Sequence, residues 1–435
     1  MTPEPDIERL LVDEHAKTAP KKGLPPLAAI ARDFKAFGDD RYRLTIADIG
    51  VTLEIDRLRR DHHELIGELS ASCDLPGAKT VNGTLSIADF NLSSARARQD
   101  RAKLLTLRSD TREHLDWTAV IEEFCQLVLQ ADRIGQPGVD LRSLERPDPN
   151  DDMLEVEGFS LPRRHPAILF GDGGALKSYL ALYVAGRIAE KGVSVAFFDW
   201  ELAGDDHRDR LERLFPDGMP RILYARCERP LVYEVDRLRR IVRDAGIEFA
   251  VFDSVAFACD GPPEAAEVAG RYFRAVRQIG GGSLHAAHIS KAENGDQKPF
   301  GSAFWHNGGR ATWFVKQAEA SAGTDVLQIG LFNRKSNLGR LRPPLGFSVS
   351  FTEETTIFRR TDVADSPDLA GKLTMHQRMT HLLKHGALTV TQIAEELEVD
   401  VNTVTQTVNR YTKKGRTFIV LDGQNTNRKI GLLAS

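Results

Sequence analysis

The chain has 435 residues, of which 41% are hydrophobic and 28% are charged, and its formal net charge is −4. This length is sufficient for several domains with buried cores, and the composition is typical of a globular protein. The small negative charge excludes a general electrostatic attraction to nucleic acid, so any contact with DNA requires a local basic surface.

Cysteine usage and hydropathy indicate a reduced protein without a membrane segment. The four cysteines have neither the number nor the spacing of a disulfide framework or a Cys-x-x-Cys metal site. The amino-terminal stretch contains no apolar signal segment, and no apolar run approaches the ~18 residues of a membrane span. We therefore expect a cytoplasmic protein with no membrane partner.

The first 140 residues predict an arm and a small α+β domain. Residues 1–25 are polar and contain several prolines, which is typical of a flexible arm. Within residues 26–140, alternating apolar and polar positions in YRLTIADIGVTLEIDRL and GTLSIADFNLS predict strands, and helical spacing in the two stretches that follow predicts helices. The arginine-rich first helix could follow a phosphate backbone or form a solvated basic face.

Residues 150–362 predict an α/β domain with a mostly parallel sheet. Short apolar runs alternate with helical stretches, and these runs are AILF, VSVAFFDW, RILYARC, IEFAVFDS and SLHAAHIS. Such alternation is typical of a parallel sheet that is built from βαβ units. Three later apolar runs predict strands that extend the sheet before a linker, DVADSPDLAG.

The stretch GDGGALKS, residues 171–178, predicts a phosphate-binding loop between a strand and a helix. In that setting, backbone N–H groups and the helix dipole favour an anion. Lys177 would reach the β- and γ-phosphates of ATP, and the Ser178 hydroxyl would bind Mg²⁺. The candidate nucleotide-binding residues are Gly171, Asp172, Gly173, Gly174, Ala175, Leu176, Lys177 and Ser178.

Leu176 departs from the usual pattern, which has glycine directly before the lysine. Glycine at that position gives backbone freedom and close approach to phosphate. A leucine still donates its N–H, and we expect Gly173 and Gly174 to supply the freedom instead. A plain glycine-rich turn that binds nothing is the alternative.

Two carboxylates follow predicted strands of the same sheet. Glu201 comes after FFDW and could polarise a water for attack on the γ-phosphate, whereas an ordinary surface carboxylate is the alternative. Asp253 ends the apolar run IEFAVFD and is suited to the metal side of the site. Open α/β sheets bind ligands at the carboxyl ends of their strands, so both acids fall where a nucleotide is expected.

In this order, the motifs resemble those of RecA-like ring ATPases of the RepA/DnaB helicase group, above all the RepA-like ATPases of plasmids and phages. The resemblance covers about residues 165–340 and rests on GDGGALKS, FFDWELAGDDHRDRLERL, FAVFDS, HISK, PFGSAFWHNGGRATW and LFNRKSN. It implies a twisted, mostly parallel sheet flanked by helices, and assembly as a ring that commonly has six subunits. It also implies that KPFGSAFWHNGGR carries a loop that contacts single-stranded DNA inside the ring.

The resemblance also assigns roles to individual residues. Lys177 and Ser178 are expected to hold phosphate and metal, Glu201 to be the catalytic carboxylate and Asp253 the acid beside the metal. His288 would sense the γ-phosphate, with a buried strand-end histidine as the alternative. The family often supplies a Lys-x-Arg pair to the neighbouring subunit's site. Lys335 matches the lysine, but Asn337 stands at the arginine position, and Arg334 or Arg340 could take its place.

Residues 372–435 predict a winged helix-turn-helix domain, with VNTVTQTVNRYTKKG as its recognition helix and a hairpin as its wing. This segment contains nine Lys and Arg against five Asp and Glu, so it is basic in an acidic chain. Protein contact is the alternative use of such a domain. The side chains expected to face outward and contact duplex DNA are Asn402, Gln406, Asn409, Arg410 and Lys413.

Together, these features predict an ATP- and Mg²⁺-dependent DNA motor, either a replicative helicase or a helicase-loading ATPase of a mobile element. The alternative is a DNA-binding regulator that uses ATP as a conformational switch and hydrolyses little of it. Leu176 and Asn337 favour the switch, whereas the ordered set of Glu201, Asp253 and His288 favours the motor.

Overall fold

The structure is a computed structural model that describes residues 32–38, 40–74, 77–109, 115–135, 138–146, 148, 152–288, 303–319, 325–413, 417–422 and 427–433. The chain divides into two compact units, Met1–Glu145 and Arg146–Ser435. The predicted arm, residues 1–25, lies outside the described residues, and the domain boundaries given above remain predictions.

The first unit is an antiparallel sheet with two helices packed on one face. Its five strands follow the chain order, and alternate residues of the central strands are buried. The Asp116 carboxylate starts the second helix by accepting from the Thr118 N–H at 2.8 Å. The elements are β1 (Arg32–Ala36), β2 (Tyr42–Ile46), β3 (Val51–Asp61), β4 (Glu64–Cys73), β5 (Thr84–Asn91), α1 (Ala95–Ser109) and α2 (Trp117–Ile134).

The second unit contains a nine-stranded sheet. After the hairpin β6 (Met153–Val156) and β7 (Phe159–Pro162), the sheet strands are β8 (Pro166–Gly171), β9 (Val195–Asp199), β10 (Ile222–Arg226), β11 (Phe249–Asp253), β12 (Gly282–His288), β13 (Ala311–Gln317), β14 (Val326–Ser336), β15 (Leu345–Phe351) and β16 (Thr356–Thr361). Their order is β10-β9-β11-β12-β8-β13-β14-β15-β16. Pairing is parallel from β10 to β13 and antiparallel from β13 to β16, so the predicted parallel core with added strands is confirmed.

Helices cover both faces of this sheet. They are α3 (Lys177–Glu190), α4 (Gly204–Leu214), α5 (Leu231–Asp244), α6 (Val255–Ala258), α7 (Ala266–Ile279) and α8 (Ala303–Gly308). The core on one face includes α3, and the core on the other includes α5, α7 and α8. Because both faces are buried, β9 and β11 have every residue buried and carry continuous apolar runs that end in an aspartate.

The carboxyl-terminal segment has three main helices and a small sheet. Its elements are α9 (Pro367–Ala370), α10 (Met375–Leu382), β17 (Leu388–Thr389), α11 (Val390–Glu396), α12 (Val401–Lys413), β18 (Phe418–Asp422) and β19 (Lys429–Leu432). Thr374 and Thr389 start α10 and α11 with capping boxes. Val404 and Val408 of α12 are buried in the shared core, as the helical spacing predicts.

An ion-pair cluster joins this segment to the large sheet. Asp362, the residue after β16, accepts from His381 Nδ1 at 3.0 Å and from Lys384 Nζ at 2.9 Å. Burial raises the pKa of this carboxyl, but the hydrogen bonds from Lys384, the Ala364 N–H and His381 outweigh it and lower the pKa to about 2. The start of the helical segment is therefore tied to the last strand of the sheet.

Two expectations from composition can be compared with the structure. All four cysteines are buried thiols. Among the helices of the described ranges, none combines the length and hydropathy needed to span a bilayer.

Candidate functional site

The strand register brings the sequence motifs to one edge of the sheet. Gly171 at the end of β8 pairs with His288 at the end of β12, and Asp253 at the end of β11 pairs with Asp199 at the end of β9. A cavity of about 240 Å³ lies at this edge. Its lining consists of Gly174, Leu176, Lys177, Ser178, Tyr179, Glu201, Leu202, Arg210, Asp253, Ser254 and His288.

Two glycines of the loop are required by its geometry. A Cβ atom at Gly171 would lie 2.4 Å from the Val315 carbonyl oxygen of β13, so a side chain cannot fit there. Gly174 has a φ of 80°, in the left-handed region that favours glycine. Gly173, by contrast, has open space around it and no positive φ.

Leu176 adopts the backbone conformation for which glycine is usual. Its φ and ψ are 58° and 24°, which is left-handed and costs a residue with a Cβ about 1–2 kcal/mol. The expectation that Gly173 and Gly174 replace this freedom is therefore wrong, since Leu176 itself takes the left-handed turn. Its half-buried side chain packs against the core that includes α3 and also lines the cavity without filling it.

Lys177 begins α3 and points back into the loop. Its Nζ donates to the carbonyl oxygens of Gly171 at 3.1 Å and Asp172 at 2.7 Å, and the residue is buried. Burial lowers the pKa of its ammonium, whereas the nearby carboxylates of Asp253, Asp172 and Glu201 oppose that shift. The site thus holds a buried cation with negative groups around it.

Ser178 and Asp253 form the pair that fits a magnesium ion. Burial, together with the Glu201 charge, raises the pKa of the Asp253 carboxyl to about 6, although the Ser178 hydroxyl donates a hydrogen bond to it. The buried Ser254 hydroxyl lines the same cavity and has no hydrogen-bond partner among the described residues. A hard cation with oxygen ligands suits a buried carboxylate and a hydroxyl, and its bound water could satisfy Ser254.

Asp199 positions the turn that carries Glu201. Its buried carboxylate accepts from the backbone N–H groups of Glu201 and Leu202, each at 3.0 Å, and from Tyr224 and Arg226. Burial would raise its pKa, but the His207 imidazole, whose Nε2 lies 3.4 Å from the carboxylate, and the hydrogen bonds from the two N–H groups lower it overall. Glu201 is exposed and lines the cavity. Of the two acids in FFDWE, therefore, Asp199 stabilises the turn and Glu201 faces the cavity.

His288 is half-buried beside the loop. Burial lowers the pKa of its imidazole, the positive charge of Lys177 lowers it further, and the negative charge of Glu201 opposes both. A neutral ring at the strand end can donate or accept a hydrogen bond near a phosphate, depending on its tautomer.

Lys335 does not line the cavity of its own chain. Its Nζ donates to the carbonyl oxygens of His306 at 2.7 Å, Asn307 at 3.3 Å and Gly309 at 2.8 Å, so it caps the carboxyl end of α8. Burial lowers the pKa of this ammonium, and so does the charge of Arg310. The nearby Arg334 guanidinium lies over the Phe314 and Phe332 rings.

The residues predicted to contact DNA are only partly described. On α12, Asn402, Gln406, Asn409 and Arg410 are exposed, and the Asn409 side-chain oxygen accepts from Arg428, the residue before β19, at 3.2 Å. The side chain of Lys413 lies outside the described residues.

The predicted inward loop is also only partly described. Residues 289–302 lie outside the described ranges, and the part that follows forms α8. Trp305 of α8 is fully buried and donates to the Pro263 carbonyl, so this half of KPFGSAFWHNGGR belongs to the core.

The comparisons with known proteins concern the α/β domain. A family described as "AAA domain" matches residues 131–294, a range that includes the loop, Glu201, Asp253 and His288 but neither Lys335 nor the carboxyl-terminal segment. No curated protein sequence matches the chain. The family match supports a P-loop ATPase domain in this part of the chain.

Two solved structures resemble part of this chain at low identity. One is an ATPase domain with 12% identity and a TM-score of 0.38, covering 46% of this chain and 86% of that one. The other, a KaiC-like protein from Pyrococcus horikoshii OT3, has 15% identity and a TM-score of 0.36, covering 46% of this chain and 91% of that one.

The raised pKa of Asp253 predicts that the protein without Mg²⁺ or nucleotide loses stability as pH rises. The folded carboxyl releases its proton near pH 6 and the unfolded one near 3.8, so the penalty develops across that window. Asp253→Asn should raise the free energy of unfolding at pH 7.5 by about 3 kcal/mol and leave it nearly unchanged at pH 3.5. Urea unfolding at both pH values tests this, with exposed Asp217→Asn as the control, and equal stability of Asp253→Asn and wild type at pH 7.5 would contradict it.

The left-handed backbone at Leu176 predicts an unusual order of two variants. Leu176→Gly should be more stable than Leu176→Ala by about 1 kcal/mol, because alanine keeps the left-handed penalty and glycine does not. At Leu182, inside α3, the order should reverse, since glycine is the poorer residue in a helix. Chemical unfolding of the four variants gives the comparison, and the same order at both positions would disprove the left-handed turn.

Proposed function

We propose that the protein is an ATP-driven DNA motor of the RepA-like helicase or helicase-loading type, which hydrolyses ATP at subunit interfaces of a ring, most simply a hexamer. One observation carries this proposal: a glycine loop, a buried lysine, a Ser–Asp pair, a glutamate and a histidine surround a single cavity at one sheet edge. These are the group types that phosphoryl transfer to water requires.

Some residues of the cavity bind ATP and Mg²⁺, and another accepts a proton from the attacking water. Lys177 and the N–H groups of the loop hold the phosphates, while Ser178 and Asp253 hold Mg²⁺. When bound, Mg²⁺ neutralises charge on the β- and γ-phosphates. Glu201 orients the attacking water and accepts its proton, and Asp199 keeps that carboxylate in place through the N–H groups it binds. His288 contacts the γ-phosphate from the adjacent strand.

Lys335 would act in the neighbouring subunit. In its own chain the ammonium is held by three carbonyl oxygens, so reaching a neighbouring γ-phosphate requires it to exchange those partners. Asn337 adds no positive charge beside it. These two features favour the second candidate, a nucleotide switch that binds ATP and hydrolyses little.

ATP turnover separates the motor from the switch. We expect Mg²⁺-dependent ATPase activity that single-stranded DNA stimulates. Lys177→Ala should abolish ATP binding, and Glu201→Gln should keep binding but reduce kcat by at least about 10²-fold, the usual contribution of a general base. Exposed Glu212→Gln on α4 is the matched control. A wild-type chain that binds ATP but shows no turnover with or without DNA would leave the switch as the function.

We further propose that α12 binds duplex DNA through its exposed amide and basic side chains, in the manner of a recognition helix. The basic balance of residues 372–435 in a chain of negative net charge supports this assignment. Each phosphate contact adds roughly one to the slope of log affinity against log salt.

The joint variant Gln406→Ala with Arg410→Ala should weaken duplex binding at moderate salt and make its salt dependence shallower by about one unit of slope. The DNA-free ATPase rate should not change, because these residues lie outside the cavity. Arg359→Ala, which removes an exposed charge on β16, serves as the control. Unaltered duplex affinity in the double variant would exclude α12 as the DNA-binding element.

A further inference from the structure

Ser254 is a buried polar residue of the cavity that takes no part in the ATP hydrolysis described above. It directly follows Asp253 at the end of β11 and lines the cavity. The residue is only 2% exposed, and its hydroxyl has no hydrogen-bond partner among the described residues. A buried hydroxyl without a partner destabilises a folded chain, so such a group calls for an explanation.

The helix that follows Ser254 does not explain the hydroxyl. Ser254 occupies the position just before the short helix α6, where a serine side chain ordinarily accepts a hydrogen bond from a backbone N–H of the first turn. Its side chain makes no such bond to α6. The hydroxyl is therefore available to a group that enters the cavity.

The strand register places Ser254 beside the turn that carries Glu201. Asp253 pairs with Asp199 on the neighbouring strand, and the Trp200 N–H donates to the Asp253 carbonyl oxygen at 2.7 Å. Glu201 follows the donor of this hydrogen bond, Ser254 follows its acceptor, and both residues line the cavity. A carboxylate and a hydroxyl thus come from adjacent strand ends to one site.

A water that attacks the γ-phosphate must be oriented as well as deprotonated. Its oxygen lone pair has to point at the γ-phosphorus for in-line displacement. A water that donates to the Glu201 carboxylate alone can still rotate about that hydrogen bond, whereas a second acceptor fixes its orientation. A serine hydroxyl oxygen can accept the second O–H.

We propose that Ser254 is a further catalytic residue, which holds the attacking water together with Glu201. This assignment rests on the proposed ATP hydrolysis and names a residue that orients its second substrate. The water oxygen bonds to the γ-phosphorus while the bond from that phosphorus to the β–γ bridging oxygen breaks, and ADP leaves with the electron pair. Glu201 accepts the water proton, and Ser254 keeps its own.

ATP turnover by the full-length chain, with saturating Mg²⁺ and single-stranded DNA, tests the assignment. Ser254→Ala should lower kcat about tenfold, as expected for the loss of one hydrogen bond in the transition state. It should change KM, and the Kd of a non-hydrolysable ATP analogue, less than about twofold. In a Glu201→Gln background the same substitution should lower kcat less than about threefold, because both residues act on one water.

The stability of the nucleotide-free chain separates a catalytic role from a structural one. Removal of an unpaired buried hydroxyl should raise the urea midpoint of Ser254→Ala, whereas loss of a structural hydrogen bond would lower it. Ser160 on β7 is the matched control, since its hydroxyl is also buried without a partner in the described part of the chain but the residue does not line the cavity. Ser160→Ala should raise the midpoint and leave kcat unchanged.

Titration of Mg²⁺ distinguishes the attacking water from a water that is bound to the metal. A lower kcat of Ser254→Ala that saturating Mg²⁺ does not restore would support the attacking water. If Ser254→Ala instead requires more Mg²⁺ for its half-maximal rate and regains the wild-type kcat at saturation, the hydroxyl contacts a metal-bound water and the assignment is overturned.

The outcomes that would overturn this assignment differ from those that would overturn the motor. Normal turnover in Ser254→Ala, a lowered urea midpoint, or the full tenfold loss in the Glu201→Gln background would each remove Ser254 from the attacking water while leaving ATP hydrolysis intact. A wild-type chain that binds ATP without turnover would overturn the motor and this assignment together.

Discussion

Parallel pairing of β8, β9, β11 and β12 is the constraint on which the rest of the structure depends. It fixes the carboxyl ends of four strands side by side, so that a loop, a histidine and two aspartates meet without any of them being close in the chain. Gly171 has no room for a side chain because β13 passes 2.4 Å from where its Cβ would lie. The phosphate loop is therefore shaped by its neighbouring strand as much as by its own residues.

The buried charges at this edge are balanced in different ways. Asp199 is saturated with hydrogen bonds and has a lowered pKa, whereas Asp253 has a raised pKa and the Ser178 hydroxyl as its hydrogen-bond donor. Both are the last residues of strands in which every residue is buried, but Asp199 stabilises the turn after its strand, whereas Asp253 is left available to a cation. The contrast arises because the turn after β9 folds back its N–H groups onto Asp199.

Much of this fold can be predicted from the sequence, because continuous apolar runs and helical periods report burial directly. The loop, Glu201, Asp253 and His288 can likewise be located, since each follows a run that forms a strand. The stacking of Arg210 on Tyr179 cannot be predicted, because it depends on how α4 packs beside α3. The left-handed turn at Leu176 cannot be predicted either, because it is a matter of backbone dihedral angles. The same holds for the carbonyl oxygens around Lys335, because they belong to the end of a helix that is distant in the sequence.

The ion-pair cluster at Asp362 attaches the carboxyl-terminal helices to the end of the large sheet. Its carboxylate lies directly after β16 and accepts hydrogen bonds from His381 of α10 and from Lys384, which lies just beyond the end of that helix. Because its pKa is lowered to about 2, the carboxylate keeps its charge until the medium becomes strongly acidic, and its contribution to stability is lost as pH falls toward that value. The final strand and the helical segment are consequently joined by charged contacts as well as by the chain, so a displacement of one against the other requires these contacts to break.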